Sequence, residues 1–501
     1  MLGAATAADV DSNPADGIIN SGKVTIAGHP GNLVTCSSVV VAGAPWTPSS
    51  FSFDISWVDP FVRAYFLADR SHGGFTGTTP DPTKAGGDVL MLDLNNLTPA
   101  GISFMTPPST DPMAGIACDQ NTAFGGTAGV GRNEITGPNG AFTVNHAEVW
   151  VGDGPSQFQP GQGDGTVTMS AAGTCGVAGV TCTYTGTASD YNSDLCNSSV
   201  RVFDISSRQQ TDHINVGGCF RTDEGAFDPV DQIAVFANPS EQPGILHGVH
   251  PLNDSAFLTF ISTRPTAPGV HHAILAQINF DGTHGTVHAD GGIEQAAYNR
   301  NTGLFYVAIP GISSAPNNGY VAVIDPTNPN NIHVKHIIPV MNCSPNGAVF
   351  GPDNELLLGC SGGPEQVLNV IDGHVTKRTS IASTSGGCDE VAYNAGDNHF
   401  LGACTDSNAD SSDNLDISDA DPISFDQAID TNTKGAHSVA ADPITVTDFV
   451  PAAAGTGANP NGLCGAAGPC ILLFNSTGGD DPGERATEIA EAHQWWNFFP
   501  W

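Results

Sequence analysis

Seven times between residues 54 and 451 the chain returns to one phrase: a polar residue, a few small or apolar residues, a turn built on Asp, Asn or Gly, and a second apolar run. The copies read DISWVDPFVRAYFLAD (54–69), PNGAFTVNHAEVWVGD (138–153), DEGAFDPVDQIAVFAN (223–238), EQAAYNRNTGLFYVAI (294–309), NGAVFGPDNELLLGC (346–360), DEVAYNAGDNHFLGAC (389–404) and HSVAADPITVTDFVP (437–451). A third alternating run follows most of them: DVLMLDL, VRVFDIS, ILAQINF, YVAVIDP, QVLNVID and, last, ILLFN. Each unit is three or four short antiparallel strands, which cannot bury both faces alone, so units must stack on one another. Stacked sheets of this size close into an all-β propeller round a central axis. Seven copies predict seven blades. The range is six to eight, because HGVHPLNDSAFLTF (247–260) reads either as an eighth first strand or as an insertion inside the third blade.

Composition supports strands over helices. The 60 Gly and 35 Pro break helices and build turns, and only RATEIAEAHQWW keeps a 3.6-residue period. Stretches rich in Gly, Ser, Thr and Asp (70–88, 106–140, 153–196 and 406–436) read as loops that interrupt blades. The expected layout is one propeller domain over 21–480. It follows an N-terminal segment (1–20) and precedes an aromatic C-terminal segment (481–501), whose WWNFFPW closes a blade, covers one face or meets a partner. The net charge of −36, from 51 acidic and 15 basic residues, repels phosphate backbones and anionic lipid, so neither nucleic acid nor a membrane surface is an expected partner. No apolar run approaches the roughly 18 residues of a spanning helix.

The cysteines are read by spacing. Cys343/Cys360 and Cys388/Cys404 each bracket one predicted hairpin, where the head of one strand faces the tail of the next. Cys464/Cys470 and Cys175/Cys182 close small Gly-rich loops, which leaves Cys196/Cys219 and Cys36/Cys118. Disulfides imply an oxidising compartment, and MLGAATAADVDSNPADG looks like the tail of an export signal. A secreted or periplasmic protein is expected.

In a propeller the first strand of every blade lines the channel, so residues in one column of the repeat converge on the axis. The first column reads Asp54, Pro138, Asp223, Glu294, Asn346, Asp389 and His437; the second reads Ile55, Asn139, Glu224, Gln295, Gly347, Glu390 and Ser438. Buried carboxylates this close lose hydration worth several kcal/mol each, so protons, ordered water or a cation must compensate. Oxygen donors suit Ca²⁺, Mg²⁺ or Mn²⁺, and His437 extends the choice to Zn²⁺ or Fe²⁺. The expected metal ligands are Asp223, Glu224, Glu294, Asn346, Asp389 and His437. Asp389 or Glu390 is the expected proton acceptor, and His437 is a ligand or general acid.

These phrases resemble YVTN/NHL-type propellers and, more distantly, the gluconolactonase (senescence-marker) family, over roughly 51–475. That resemblance implies one axial divalent ion held by a Glu, an Asn and an Asp from different blades, with an Asp as general base. SPNGAV is similar to the family's Asn-Gly phrase and assigns Asn346 to the ion; DEGAFD is similar to its Glu-Gly-Pro phrase and assigns Glu224 or Asp223. CDEVAYN lacks the family's Asp-Gly, and Glu294 and His437 depart from its set.

Other constellations carry less. His146, His247, His250, His271, His272 and His437 offer a multi-histidine iron or copper site, as carotenoid-cleaving propellers have. The acidic stretch 406–426 spaces oxygen side chains as calcium loops do, but lacks the Gly and Glu of an EF-hand. No HExxH or Walker motif is present. The expected function is a metal-dependent hydrolase or lyase acting on a small neutral or cyclic substrate. The alternatives are a non-catalytic propeller that binds a ligand or a protein partner on its loop-rich face, and a His-ligated iron or copper oxidoreductase.

Overall fold

The computed structural model describes residues 18–26, 53–69, 88–107, 138–154, 198–218, 221–239, 255–264, 272–289, 292–311, 317–382, 385, 387–405, 413–431, 437–452, 463–464 and 469–476. It also gives the backbone of two short ladders, Val40–Val41 with Ala44–Pro45 and Phe75–Thr76 with Thr79–Pro80. The main architecture is seven four-stranded antiparallel sheets. Their first strands begin at Phe53, Ala141, Gly225, Ala296, Pro345, Cys388 and Ala440, which we number blades 1 to 7. First strands touch first strands from each blade to the next, and blade 7 touches blade 1, so the ring is closed. All seven phrases are the first and second strands of a blade.

Closure uses both ends of the repeat region. In blade 7 the fourth, outermost strand is Ile18–Thr25, paired antiparallel to Cys470–Ser476. The ring therefore cannot open without breaking that ladder.

Apolar burial lies between blades. Among the described residues seven hydrophobic clusters occur, each spanning one seam; Trp150, Phe142 and Phe236, for instance, join blades 2 and 3. A large side chain buried in this way contributes roughly 1.5–3 kcal/mol. Each sheet thus depends on its neighbours for both faces.

In blades 1, 3, 4, 6 and 7 the first strand ends in an Asp or Asn that caps its own hairpin. Asp59 Oδ1 accepts the Phe61 N–H at 2.9 Å, Asp228 Oδ1 that of Val230 at 2.8 Å, and Asn299 Oδ1 that of Asn301 at 2.9 Å. Asn394 and Asp442 do the same for Gly396 and Ile444. This is why short polar residues recur there. Several of these side chains also reach the next blade. Asp59 meets His146 at 2.8 Å, Asp442 meets Arg63 at 2.7 Å, and Asn394 donates to Asp448 at 2.8 Å. A polar belt therefore links blades at the end of the first strands remote from their heads.

Three details correct the sequence reading. Phe257–Ser262 is the third strand of blade 3, so 247–260 starts no eighth blade, and Ile274–Asn279 of ILAQINF is that blade's fourth strand. Part of the acidic stretch read as a loop is strand: Asp413–Ala420 and Ile423–Asp430 are the third and fourth strands of blade 6. Its alternate oxygen side chains are the period of a strand, with Leu415 and Ile417 in the core. The disulfides Cys343–Cys360, Cys388–Cys404 and Cys464–Cys470 form as the spacing predicts. The other three predicted pairings, like the export signal and the aromatic C-terminal segment, lie outside the described residues.

Candidate functional site

The head of the first strand is bulged in blades 1 to 6, and this builds the site. In blade 3, Asp223 N donates to Ala237 O and Ala237 N donates to Glu224 O, both at 2.8 Å. Two consecutive residues thus face one partner. Glu294 and Gln295 face Ala308 likewise, and the register jumps between Phe53 and Ser56, Pro345 and Ala348, and Cys388 and Val391. In a regular strand neighbours point to opposite faces. A bulge re-aims one of them, so both columns of the repeat turn toward the axis. In blades 1 to 6 the facing residue is Ala or Gly. Gly152 and Gly359 show why: a Cβ on Gly152 would stand 2.3 Å from Thr222 O, and one on Gly359 would stand 2.7 Å from Asp389 O. The next blade's head packs there.

The deepest group is acidic. Ligand oxygens of Asp223, Glu224 and Glu294, all buried, lie within 4.8 Å of one another. Arg221 enters beside them; its Nε donates to Asp223 Oδ2 at 2.5 Å and its Nη2 lies 3.7 Å from Glu294 Oε2. Glu224 and Glu390, from blades 3 and 6, share a hydrogen bond across the axis. Burial holds both well above the usual carboxylate range; contact with Glu390 adds to it for Glu224, while for Glu390 the Glu224 hydrogen bond pulls the other way and Asp389, Asp54 and Asp223 push up. One proton between two carboxyls is the arrangement that like charges enforce. Glu224 Oε2 is buried and accepts no hydrogen bond.

Nearer the mouth the groups are half-buried. Asn346 Nδ2 donates to Asp389 Oδ1 at 3.1 Å, and Ser361 Oγ donates to Asn346 Oδ1 at 3.1 Å. His437 stacks on Phe53 with ring centroids 4.8 Å apart and planes 2° from parallel, and its Nε2 lies 3.4 Å from Asp54 Oδ1. Burial raises the proton affinity of Asp389, against the opposing pull of His437 and the Asn346 hydrogen bond. Gln295 ties the level together: its Oε1 accepts the Ala348 N–H at 2.5 Å and its Nε2 donates to Val391 O at 3.5 Å.

All seven predicted site residues therefore meet at one end of the axis, but as subgroups. Among the described His, Cys, Asp and Glu residues, the close axial trio is Asp223, Glu224 and Glu294, with Asp389 and His437 outside it. The single six-ligand ring that the sequence suggested is divided into this trio, the Asn346–Asp389 pair and the His437–Asp54 pair. The histidine alternative is not assembled among the described residues. His146 meets Asp59 at the far end of the first strands. His272 meets Asp212 at 2.8 Å and packs on Trp150. His247, His250 and His271 lie outside the described residues. A second close group, Glu365 with Cys388 and Cys404, involves disulfide sulfurs. Arg221 was missed. Its signal was a rare basic residue, one of 15 Lys and Arg, standing two places before a carboxylate column.

No protein-family model matches the sequence, and no curated protein matches it. Among solved structures, a chain in the crystal structure of the mitotic checkpoint complex is similar in shape. It covers 94 % of this chain and 96 % of its own at 8 % identity, with a TM-score of 0.48.

Proposed function

We propose that the axial cluster is the active site of an exported enzyme that hydrolyses, or eliminates from, a small neutral substrate entering at the mouth. The observation that carries this reading is Asp389: half-buried, raised in proton affinity, fixed by Asn346 and influenced by His437. A carboxyl shifted toward the working pH takes and returns a proton best. Asp54 offers a counter-charge to His437 when that ring is an imidazolium, and Phe53 fixes its plane. His437 can then give a proton to a leaving group while Asp389 draws one from water or carbon. The distant likeness of the Asn346 phrase to the gluconolactonase family favours a cyclic ester, and the disulfides favour an oxidising compartment.

The buried trio fits a hard divalent cation. Asp223, Glu224 and Glu294 give only oxygen donors, and Glu224 Oε2 lacks a partner. That set suits Ca²⁺, Mg²⁺ or Mn²⁺ better than Zn²⁺, iron or copper. Such an ion would polarise a carbonyl and acidify water. Holding it requires Arg221 to yield Glu294, its looser partner, and the Glu224–Glu390 pair to give up its proton. Ion affinity should therefore rise with pH.

The test is turnover of a panel of small lactones and esters by the purified full chain, with Ca²⁺, Mg²⁺ or Mn²⁺ supplied. Asp389→Asn and Asn346→Ala are expected to lower kcat/KM by about 10²-fold or more with the fold intact by circular dichroism. Failure of the wild-type chain to turn over any member, or full activity in Asp389→Asn, overturns the proposal. An inactive, metal-free, folded protein would favour a binding propeller.

A further inference from the structure

Away from the axis, the outer rim of the seam between blades 4 and 5 brings two histidines together. His336 lies in the fourth strand of blade 4 (His333–Met341), and His374 opens the fourth strand of blade 5 (His374–Ser380). Their ring centroids stand 4.2 Å apart at 48°. The approach is built by the hairpin Asp372–Gly373, whose residues take φ of 49° and 82°. Two left-handed residues in a two-residue turn are the mark of a tight hairpin. Gly373 is required there twice over: a Cβ on it would stand 2.7 Å from His336 Cδ2. The turn also carries the Asp372 carboxylate to the same edge, where it feels both imidazoles and receives Lys335 Nζ on Oδ1 at 2.6 Å.

Three features separate this pair from an ordinary ring contact. Among the described residues no hydrogen-bond partner exists for any ring nitrogen of His336 or His374, although other histidines, such as His146 and His272, are tied to carboxylates. The rings border an open cavity of about 240 Å³, with Pro339, Val375 and Arg378 around it. The Asp372 carboxylate is held at the same edge by Lys335, beside the two rings.

We propose that His336 and His374 form a two-histidine surface site for a borderline divalent transition metal such as Zn²⁺ or Cu²⁺, with the Asp372 carboxylate near enough to add to its field. Two imidazoles with open positions beside them are donors that such ions accept. The chain's net charge of −36 raises the local concentration of cations. A bound ion would also pin the outer strands of two blades to each other.

The site is distinguishable from the axial trio by donor type and by place. Calorimetric titration of the intact full-length protein with ZnCl₂ or CuCl₂, in excess Mg²⁺ to occupy oxygen sites, should show a binding event that weakens at least tenfold in His336→Gln and in His374→Gln. Asp372→Asn should weaken it less, and Glu224→Gln should leave it unchanged. The Cu²⁺ form should show nitrogen hyperfine structure in its electron paramagnetic resonance spectrum, and lose it in the double His variant. Because both rings are on the outer rim, the variants should keep the wild-type circular dichroism spectrum. If a variant fails that check, Zn²⁺ protection of His336 and His374 from diethyl pyrocarbonate in the wild-type chain decides instead. No transition-metal binding by the wild-type chain overturns the proposal, as does binding that survives loss of both histidines or that vanishes with Glu224→Gln.

Discussion

Glu365 stands just before the third strand of blade 5 (Gln366–Ile371), fully desolvated against blade 6. It packs on Gly402, where a Cβ would come within 2.6 Å of its Oε1, and that oxygen has no hydrogen-bond partner. Burial, and after it the nearby Asp416, pushes its carboxyl up to about 8 from an ordinary 4.5. In the unfolded chain the acid ionises at the ordinary value, while the folded chain keeps its proton until the higher one. Stability is therefore intact below pH 4.5, falls as pH rises from 4.5 to about 8, and is flat above that. At about 1.36 kcal/mol per pKa unit, the loss between about pH 5 and pH 8.5 comes to about 4 kcal/mol. Glu365→Gln removes that titration. Any packing cost of the amide is the same at both pH values, so it cancels in the comparison. Urea unfolding of wild type and variant, followed by tryptophan fluorescence with disulfides intact, should show the variant gaining about 4 kcal/mol on wild type between the two pH values. A stability difference that does not change with pH would refute the assignment of a buried, protonated Glu365.

Two further outcomes follow from the ring geometry. Arg63→Ala strands the fully buried Asp442 carboxylate where blades 7 and 1 join, and should cost roughly 3 kcal/mol in urea unfolding; an unchanged midpoint would mean the ion pair does not brace closure. Gly152→Ala drives a Cβ to 2.3 Å from Thr222 O and 2.7 Å from Asp223 O, and should cost about 1–3 kcal/mol. Because the displaced backbone carries Asp223, the same variant should weaken binding of Ca²⁺ or Mg²⁺ by calorimetry, and unaltered affinity would argue that Asp223 is not a ligand.

The blades were legible because a repeat with no hydrophobic interior of its own has few ways to bury itself. The small residue opposite the strand head in blades 1 to 6 (Ala68, Gly152, Ala237, Ala308, Gly359 and Ala403) was a further signal: it leaves room for the next blade. Assigning strands beyond the first two was harder. In blade 6 the third strand carries Asn414, Asp416 and Ser418 on one face, all buried, and local polarity mimics a solvated loop when burial is supplied by distant residues. Blade 3 misled for the opposite reason. Phe257–Ser262 and Ile274–Asn279 are both apolar enough to be a third strand, and only pairing decides.

The axial site divides in the same way. That Asp223, Glu224, Glu294, Asn346, Asp389, Glu390 and His437 would meet follows from radial symmetry, and the bulges explain why two neighbouring carboxyls in one strand can both face inward. How their charge is compensated does not follow from symmetry. Arg221 neutralises Asp223 and Glu294 from a position outside the repeat, and the Glu224–Glu390 proton depends on two blades facing each other across the channel. A proton, a guanidinium and a metal ion compete for the same oxygens. Small changes in pH or ion concentration can tip that balance, because each option offsets the same desolvation of several kcal/mol per carboxylate.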